Sequence, residues 1–379
     1  MRRALVALLC LTACSGPAGV DAGPPFVGED AGAIDAGPRR TDGWYRAPRP
    51  AGPPGHRGCA ADFDVFHAGA GSVGSSLGDA RLGPGARVAG QPVFSYVTRD
   101  GSGPSGLAFP GEPDIPALVV SPSGRAAVGA LGNGFAFADP GAGEVALVDP
   151  LSRAVRSRTP LEGIDEPFAL APRDGGMLLA HGGLRYTRLT PTFAVDGEPI
   201  EVALEQPLSR VDLVRTDEGV VLLGVAACGP VTHWLDATGT PADDPYCLDR
   251  PGTPSGRPHW DGSRVVWTFD EGVLELDGRG RPADWTPTPS FRPALAFGAT
   301  DGLVILRNPG SDTPWPSLLL ARRGTGEVVT GLGRTGAETP AVPIASASVI
   351  IREGHAEVGY RPTGRDQIAL IFVDCAPEP

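Results

Sequence analysis

Two short glycine-rich motifs are the first places in this chain where residue type and spacing could support chemistry. Gly74–Gly78 reads G-x-S-x-G, the spacing of a serine nucleophile elbow, and Gly101–Gly106 reads G-x-G-x-x-G, the spacing of a phosphate-binding turn. Both motifs require a helix directly after the glycines. Glycine and proline surround both, with Pro104 inside the second, and these residues disfavour helix. We therefore predict a loop at Gly74–Gly78, no helix opening at Gly101–Gly106, and no catalytic residues in either motif.

Scattered histidine and aspartate side chains are the candidate metal ligands. Four of them lie near predicted strand ends and could converge on one site: His259, Asp261, Asp174 and Asp301. The alternative is that each caps the turn in which it lies. Asp62 and Asp64 alternate and therefore share one face of a strand, which would permit Ca²⁺ binding. We favour turn capping and predict no metal site and no cofactor.

Tryptophans offer a third kind of site, because an indole ring can stack on a sugar. Four are candidates for this role: Trp234, Trp260, Trp267 and Trp285. At strand spacing, such side chains more often pack inside a β-structure than bind a ligand. We favour packing for all four.

Six cysteines divide into two groups. Cys10 and Cys14 lie in the N-terminal leader, and four cysteines remain: Cys59, Cys228, Cys247 and Cys375. No C-x-x-C spacing suggests zinc. An even number of cysteines in an exported protein predicts disulfides, and four cysteines allow three pairings. We favour Cys59 with Cys375, which bracket the main domain, and Cys228 with Cys247, which lie close together in sequence.

The first thirteen residues have the features of an export signal. Met1-Arg2-Arg3 is basic, Ala4–Leu11 is an apolar run too short to cross a membrane, and Leu11-Thr12-Ala13-Cys14 follows. These last four residues resemble the lipobox of bacterial lipoproteins. The resemblance implies cleavage after Ala13, diacylglycerol on the Cys14 sulfur and an acyl group on the new amino terminus. Three acyl chains anchor a protein stably where one does not.

Composition excludes several classes of function. Every one of the 32 basic residues is arginine, so lysine Schiff-base and P-loop lysine chemistry are ruled out. Removing residues 1–13 leaves 30 arginines against 44 acidic residues. An acidic chain of this kind disfavours nucleic acid and anionic lipid surfaces as partners.

Residues 14–58 have the composition of a flexible tether. Asp-Ala-Gly occurs three times, and Gly, Pro and Ala dominate. Such a segment has too little apolar surface to fold, and its 45 residues could span roughly 150 Å when extended. Arginines with Trp44 and Tyr45 make its second half basic, which suggests contact with the cell wall or with the acidic domain as the alternative to plain solvation.

Residues 59–375 instead alternate short apolar runs with turn residues, which predicts β-strands and excludes long helices. The clearest strand candidates are Val93–Val97, Ala117–Val120, Val145–Val148, Met177–Ala180, Val211–Val214, Val220–Ala226, Arg264–Phe269, Gly302–Leu306, Ser317–Ala321, Ser348–Ile351 and Ile368–Val373. Turn glycines recur at intervals of 51, 44, 43 and 40 residues: Gly124, Gly175, Gly219, Gly262 and Gly302. An interval of about 40–50 residues with several strands in each unit is typical of a β-propeller.

A second repeated feature is a strand that ends in a polar turn. It is seen at Val148–Arg153, Leu235–Gly239, Leu276–Gly280 and Ala321–Gly326. These turns resemble the strand-Asp-x-x-x-Gly turns of quinoprotein-like and YVTN-type propeller repeats, over residues 116–330. We predict an all-β propeller of about seven four-stranded blades, between six and eight, with the first near 60–110 and the last near 340–375. A pair of large β-sandwiches is the alternative. A Cys59–Cys375 bond would then join the first and last blades.

These features predict an envelope lipoprotein whose propeller is a non-catalytic binding or scaffold module. Its expected partners are an envelope protein or glycan, and the membrane through the lipid on Cys14. The architecture is similar to that of the propeller lipoprotein of outer-membrane assembly machinery. Ser15 is not the acidic residue that retains some lipoproteins in the inner membrane, so we favour the outer membrane. The alternative function is a propeller enzyme, either a metal-dependent lactonase or hydrolase or a quinoprotein dehydrogenase.

Overall fold

A computed structural model describes most of the chain from Ala60 to Asp374. The described residues are 60–62, 80–98, 103–110, 117–122, 125–132, 134–182, 184–203, 207–248, 252–299, 302–309, 316–334, 343–352, 355–363 and 368–374. Their regular structure consists of 28 strands in seven four-stranded antiparallel sheets. Within these ranges no helix has the length and hydrophobicity required to cross a bilayer.

Six sheets, blades 1 to 6, are each built from four consecutive strands. The first three blades contain β2 (Ala80–Val88), β3 (Gln91–Thr98), β4 (Ser105–Ala108) and β5 (Leu118–Ser121); β6 (Ala127–Leu131), β7 (Gly134–Asp139), β8 (Glu144–Asp149) and β9 (Ala154–Pro160); and β10 (Ala169–Arg173), β11 (Gly176–His181), β12 (Arg185–Leu189) and β13 (Ile200–Glu201). The next three contain β14 (Arg210–Arg215), β15 (Val220–Ala226), β16 (Gly229–Leu235) and β17 (Tyr246–Cys247); β18 (His259–Trp260), β19 (Val265–Phe269), β20 (Gly272–Leu276) and β21 (Pro282–Pro287); and β22 (Pro293–Ala299), β23 (Gly302–Arg307), β24 (Ser317–Ala321) and β25 (Val328–Arg334).

Blade 7 combines the two ends of the domain. Its first three strands are β26 (Ile344–Arg352), β27 (His355–Pro362) and β28 (Ala369–Asp374), and its outermost strand is β1 (Ala60–Asp62). Ala60 pairs with Asp374 in the β1–β28 ladder. Strand pairing between the ends therefore closes the ring, and the molecule is a seven-bladed β-propeller.

The apolar core is divided into seven clusters, one between each pair of neighbouring blades. The cluster between blades 7 and 1, for example, packs Ile350 and Leu370 against Phe94 and Tyr96. Each of the other six blade-to-blade contacts has a cluster of its own. A blade buries both faces against its neighbours, so hydrophobic burial holds the ring together at every blade contact.

The turns between third and fourth strands explain the second sequence repeat. Asp149, Asp236 and Asp277 each end a strand or directly follow one, and each carboxylate accepts backbone N–H bonds from the turn after it. In Asp277, Oδ1 accepts from the amides of Arg279 and Arg281 at 2.8 and 2.9 Å. An aspartate that satisfies two turn amides fixes a tight reversal, which is why this residue recurs at one position of the blade.

The predicted strands are confirmed, but the predicted first unit is wrong. Val220–Ala226 and Ser317–Ala321 have the predicted bounds. Blade 1 spans 80–121 rather than 60–110, because Ala60–Asp62 belongs to blade 7. In the sequence, Gly124 falls between the last strand of blade 1 and the first strand of blade 2, and is therefore not equivalent to Gly175, Gly219 and Gly262, which lie between first and second strands.

With the blade boundaries corrected, the turns between first and second strands recur at more regular intervals than the sequence suggested. In blade 2 the turn between first and second strands includes Gly132, which lies 43 residues before Gly175. The long interval of 51 residues arose because an outer strand, Leu118–Ser121, has the same apolar pattern as an inner strand. The alternative of two β-sandwiches is wrong, because seven separate sheets form a ring.

Candidate functional site

The first strands of all seven blades surround a central channel, which is the candidate functional site. Its cavity has a volume of about 260 Å³. Its lining is mixed, with slightly more apolar than polar surface, and the charged, imidazole and hydroxyl side chains among the lining residues are Arg215, Arg257, His259 and Ser348. A concave cavity with a few convergent polar groups is the usual form of a small-ligand site.

Two arginines share one carboxylate beside this channel. Arg210 begins β14, and its Nε lies 2.9 Å from Asp212 Oδ2. Arg257, in the segment before β18, brings its Nε to 3.2 Å from Asp212 Oδ1. The Nη2 of Arg210 also donates to the Gly256 carbonyl at 2.8 Å, which ties blade 4 to blade 5. The group of two cations and one anion carries a net charge of +1.

The side chain of Arg257 extends across the channel. Its Nη1 lies 3.1 Å from the position that a Cβ on Gly83 would occupy, and Gly83 belongs to blade 1. The guanidinium of a residue in blade 5 therefore reaches the opposite side of the ring, where only glycine leaves space for it. Burial lowers the pKa of Arg257, Asp212 opposes that shift, and Arg210 adds to it. A guanidinium is not deprotonated in proteins, so Arg257 is charged.

His259 provides an uncharged nitrogen beside the channel. Burial lowers the pKa of its imidazole to about 4, against the opposing effects of the Asp261 carboxylate and a hydrogen bond to the Arg257 backbone. Among the described residues, its buried Nε2 has no hydrogen-bond partner. The imidazole is neutral at pH 7.

The structure does not gather the described aspartates into a metal site at His259, the arrangement that was weighed against turn capping. Asp261 Oδ1 accepts from the amides of Ser263 and Arg264, and its Oδ2 accepts from the amide of Gly298 in blade 6 at 2.9 Å. Asp174 instead lies 2.7 Å from Arg215 in a salt bridge. Turn capping is thus confirmed for Asp261. The structure brings no three potential metal ligands together in its described ranges.

Three other predicted ligands and motifs fall partly or wholly outside these ranges. Asp64, Asp301 and Gly74–Gly78 lie outside the described residues, and Asp62 is described only as part of strand β1. The second half of the G-x-G-x-x-G motif is described, and Ser105–Ala108 forms strand β4. No helix begins at these described residues, so the prediction that no helix follows this motif is confirmed.

The contact between blades 5 and 6 buries a second charged pair. Glu275 on β20 is 2% exposed, and both of its carboxylate oxygens lie 3.1 Å from Nε of Arg323 in blade 6. Burial raises the pKa of Glu275, and Arg323 opposes that rise. The nearby Thr286 hydroxyl accepts from the Gly324 amide at 3.0 Å. Polar groups therefore join these two blades.

The contact between blades 3 and 4 buries a neutral Tyr–His pair. The Tyr186 hydroxyl lies 2.7 Å from Nδ1 of His233, and Nε2 of His233 lies 2.8 Å from the Asp243 carbonyl. Burial lowers the pKa of His233 and raises that of Tyr186. The carbonyl requires an N–H at Nε2, so Nδ1 accepts from the tyrosine. This pair is a structural link.

A second cavity, of about 150 Å³, lies where blade 7 meets the end of β2. Arg87, Arg352, His355 and Glu357 contribute to its lining. Arg87 Nη1 lies 2.6 Å from Oε1 of Glu357, whose side chain is buried. Burial raises the pKa of Glu357 while Arg87 opposes the rise. The carboxylate is thus held by a cation of the neighbouring blade.

The four candidate tryptophans pack between blades 4 and 5. Trp267 is fully buried there, and Trp234, Trp260 and Trp285 are partly buried against the same cluster. Trp234 is also covered by the guanidinium of Arg279, which lies 4.8 Å from its ring centroid. The preference for packing over sugar stacking is confirmed.

One predicted disulfide is present. Cys228 and Cys247 are bonded, and their Cα atoms are 6.1 Å apart. The bond links the turn between β15 and β16 to the outer strand β17 of blade 4. Cys14, Cys59 and Cys375 lie outside the described residues.

Sequence reasoning missed the charged group in the channel. Arg210 and Asp212 stand two residues apart and so share one face of a first strand, within an otherwise apolar run. That pattern could have marked them as a buried pair. Arg257 gave no local signal, because its partners Asp212 and Gly83 are 45 and 174 residues away in sequence.

Comparison with known proteins supports the fold. No protein-family model and no curated protein sequence matches the chain. The structure is similar to the Neurospora crassa Pan2 WD40 domain, with 9% identity, a TM-score of 0.52 and coverage of 80% of this chain and 96% of that one. BamB from Moraxella catarrhalis gives 11% identity, a TM-score of 0.43 and coverage of 79% and 97%. Streptogramin B lyase gives 13% identity, a TM-score of 0.43 and coverage of 66% of this chain and 92% of that one. At 9% identity, the similarity to the Pan2 WD40 domain supports the β-propeller fold alone.

Proposed function

We propose that this protein is a lipid-anchored envelope protein whose propeller binds another envelope protein without catalysing a reaction. The lipobox at Leu11–Cys14 supports the anchor, and the tether composition of 14–58 supports a domain held at a distance from the membrane. The seven-bladed ring supports the binding role, because a propeller presents many strand edges and turns on a rigid frame.

The observation that carries the binding proposal is the edge strand β25 of blade 6. Val328 and Val329 on this strand are 47% and 46% exposed, and Leu332 is half-buried. An exposed apolar edge strand offers unpaired backbone groups together with apolar contacts, which suits an extended peptide segment that adds as a further strand. The strand contains two register shifts, which limit how such an edge pairs with an arbitrary chain.

A protein partner fits these features better than a glycan. The glycan hypothesis relied on tryptophan stacking, and the four candidate tryptophans are used between blades 4 and 5. A strand edge recognises peptide backbone, which a glycan lacks.

The binding proposal is tested with a double variant, Val328→Asp/Val329→Asp. The full chain carrying it should lose a cross-linked partner that the wild type captures in native membranes. Leu151→Asp is the matched control, because Leu151 is 62% exposed in blade 2 and should retain the partner. Equal capture by all three proteins contradicts the role of β25. Stoichiometric Ca²⁺ or a quinone chromophore in the purified protein would instead favour the enzyme alternative.

The anchor is tested separately with Cys14→Ser. We expect the variant to lose palmitate labelling, to remain uncut by the lipoprotein-specific peptidase and to leave the membrane fraction. Palmitate incorporation by this variant would contradict lipidation at Cys14. Separation of the two membranes then tests the outer-membrane proposal, since recovery of the wild type in the inner membrane contradicts it.

We further propose that Cys59 and Cys375 form a disulfide that reinforces the closure of the ring. The described β1–β28 ladder ends with Ala60 opposite Asp374, and each cysteine is the next residue of its chain segment. Non-reducing proteolysis should yield one peptide joining the two ends of the domain. Cys375→Ser should lower the Tm more than Cys228→Ser, because the terminal bond closes a loop of over 300 residues and the other closes one of 19. Two separate end peptides would contradict the bond.

A further inference from the structure

The central channel contains a cation whose terminal nitrogens are unused. Asp212 engages Arg257 through Nε alone, at 3.2 Å, and also takes the Nε of Arg210. Within the described residues, no hydrogen bond occupies the Nη1 or Nη2 groups of Arg257. Its side chain is 26% exposed and lines the channel, so these groups are accessible to a molecule that enters.

The net charge of Arg210, Arg257 and Asp212 favours the binding of one anion. The two arginines and one aspartate leave a single positive charge at the channel, and a partly buried charge is stabilised when it is paired. The other arginine of the channel is already neutralised, because Arg215 lies 2.7 Å from Asp174 and donates to the Ala237 carbonyl at 3.0 Å. Arg257 is therefore the group at which an anion would bind.

The walls define the rest of the ligand. Residues of all seven first strands line the cavity, and they present only slightly more apolar than polar surface to it. With a single unpaired cation, such a lining accommodates a short aliphatic body and disfavours a multiply charged ion such as phosphate, which would lose its hydration without compensation. The volume of about 260 Å³ limits the ligand to a small molecule.

We propose that the channel binds a small monocarboxylate with an apolar body, whose carboxylate pairs with the two Nη groups of Arg257. A guanidinium fork matches a carboxylate in geometry, and the paired hydrogen bonds are charge-assisted. This site goes beyond the proposed protein-binding role, since it lies inside the ring and not on strand β25.

Isothermal titration calorimetry of the full chain tests the site. Butanoate should bind the wild type at least about tenfold more tightly than butanamide, which has nearly the same shape without the charge. Inorganic phosphate should bind more weakly than butanoate. Equal affinity for butanoate and butanamide, tighter binding of phosphate, or no heat from butanoate up to about 10 mM each overturns the proposal.

Two variants locate the binding. Arg257→Gln should weaken butanoate at least about tenfold, whereas Arg215→Gln should change it by less than about twofold, because Arg215 is already paired. Equal losses in the two variants would overturn the assignment to Arg257. If Arg257→Gln does not fold, Arg257→Lys preserves the charge and removes the fork, and it should still bind butanoate more weakly than the wild type. The β25 double variant should bind butanoate normally, so failure of the partner proposal leaves this test intact.

Discussion

The two faces of blade 5 are built from alternate residues of the same four strands, yet they differ in chemistry. The face toward blade 4 presents Val265, Trp267 and Phe269 from β19 and Leu274 and Leu276 from β20. Trp267 and Phe269 pack with ring centroids 5.0 Å apart. Side chains on a strand point alternately to the two faces, so this face is apolar at nearly every position.

The face toward blade 6 is formed by the intervening residues and is largely polar. His259, Asp261, Glu275 and Thr286 lie on it, and Val266 and Val273 supply its apolar contacts. Asp261, Glu275 and Thr286 each bond a group of blade 6.

The comparison shows that a propeller does not need one kind of blade contact. The face toward blade 4 is stabilised by close packing of apolar side chains, so truncating one of them should destabilise the protein by leaving a cavity. The face toward blade 6 is stabilised by paired polar groups, so removing one partner should destabilise the protein by leaving a buried charge unpaired. Three predictions test this difference, beginning with the largest expected effect.

Trp267→Ala should destabilise the protein most, because it removes the largest fully buried side chain from the face toward blade 4. We expect a loss of about 3–5 kcal/mol in the free energy of unfolding, measured by urea denaturation. Val266→Ala, at the adjacent residue on the opposite face, should cost only about 2 kcal/mol. An equal or larger loss for Val266→Ala would contradict the contrast between the two faces.

Arg323→Gln should cost about 2–3 kcal/mol at pH 7, because it leaves the buried Glu275 carboxylate unpaired. Burial already raises the pKa of Glu275, so its contribution to stability is present at low pH and is lost as the pH rises through the folded-state pKa. The deficit of the variant should therefore shrink when unfolding is measured near pH 5.

The neighbouring residue provides the control. Arg322 pairs with Glu327 at 3.0 Å, but both side chains are more than 60% exposed. Arg322→Gln should change the free energy of unfolding by less than about 0.5 kcal/mol. A pH-independent loss in Arg323→Gln, or a similar loss in Arg322→Gln, would show that the buried pair does not stabilise this contact.

His259→Gln should alter the acid side of the stability profile by the smallest amount. The folded-state pKa of about 4 lies below the ordinary value of 6.5, so neutral His259 contributes stability above pH 6.5 that is lost as the pH falls toward 4. Relative to the variant, the wild type should lose about 1–2 kcal/mol between pH 7 and pH 4.5. Thermal or urea unfolding at both pH values measures this difference.

Trp267→Ala retains His259 and serves as the reference for that experiment. Its pH profile should follow the wild type at a lower level of stability, because the two faces of blade 5 are separate. If Trp267→Ala instead loses the acid-dependent step, the faces are coupled and the comparison between them no longer holds.

Local pattern was sufficient to predict the strands and the type of fold. Val220–Ala226 is an apolar run bounded by turn residues, and a hairpin partner such as β16 begins within a few residues of it. Pairing over such short distances depends on nearby residues, so the sequence reports it directly. The Asp277 turn is equally local, since its acceptor and donors lie within four residues.

Local pattern could not predict which strands of the first repeat are inner strands and which are outer strands of a blade. Leu118–Ser121 is an outer strand and Ala169–Arg173 an inner one, yet both are short, apolar and followed by a turn. Their positions in the blade depend on which neighbour pairs with them. That choice also places Ala60–Asp62 in blade 7, next to a strand that lies over 300 residues away in sequence.

The sequence by itself determined the repeat length, the strands and the Cys228–Cys247 pair, since each depends on residues within about one blade. Only the tertiary structure decided that Arg257 meets Asp212 from blade 4 and reaches Gly83 in blade 1. It also decided that Glu275 pairs with Arg323 across a blade contact. These contacts join different blades, so no periodicity within one blade relates their side chains, and the approach of Arg257 to Gly83 also depends on the closed ring.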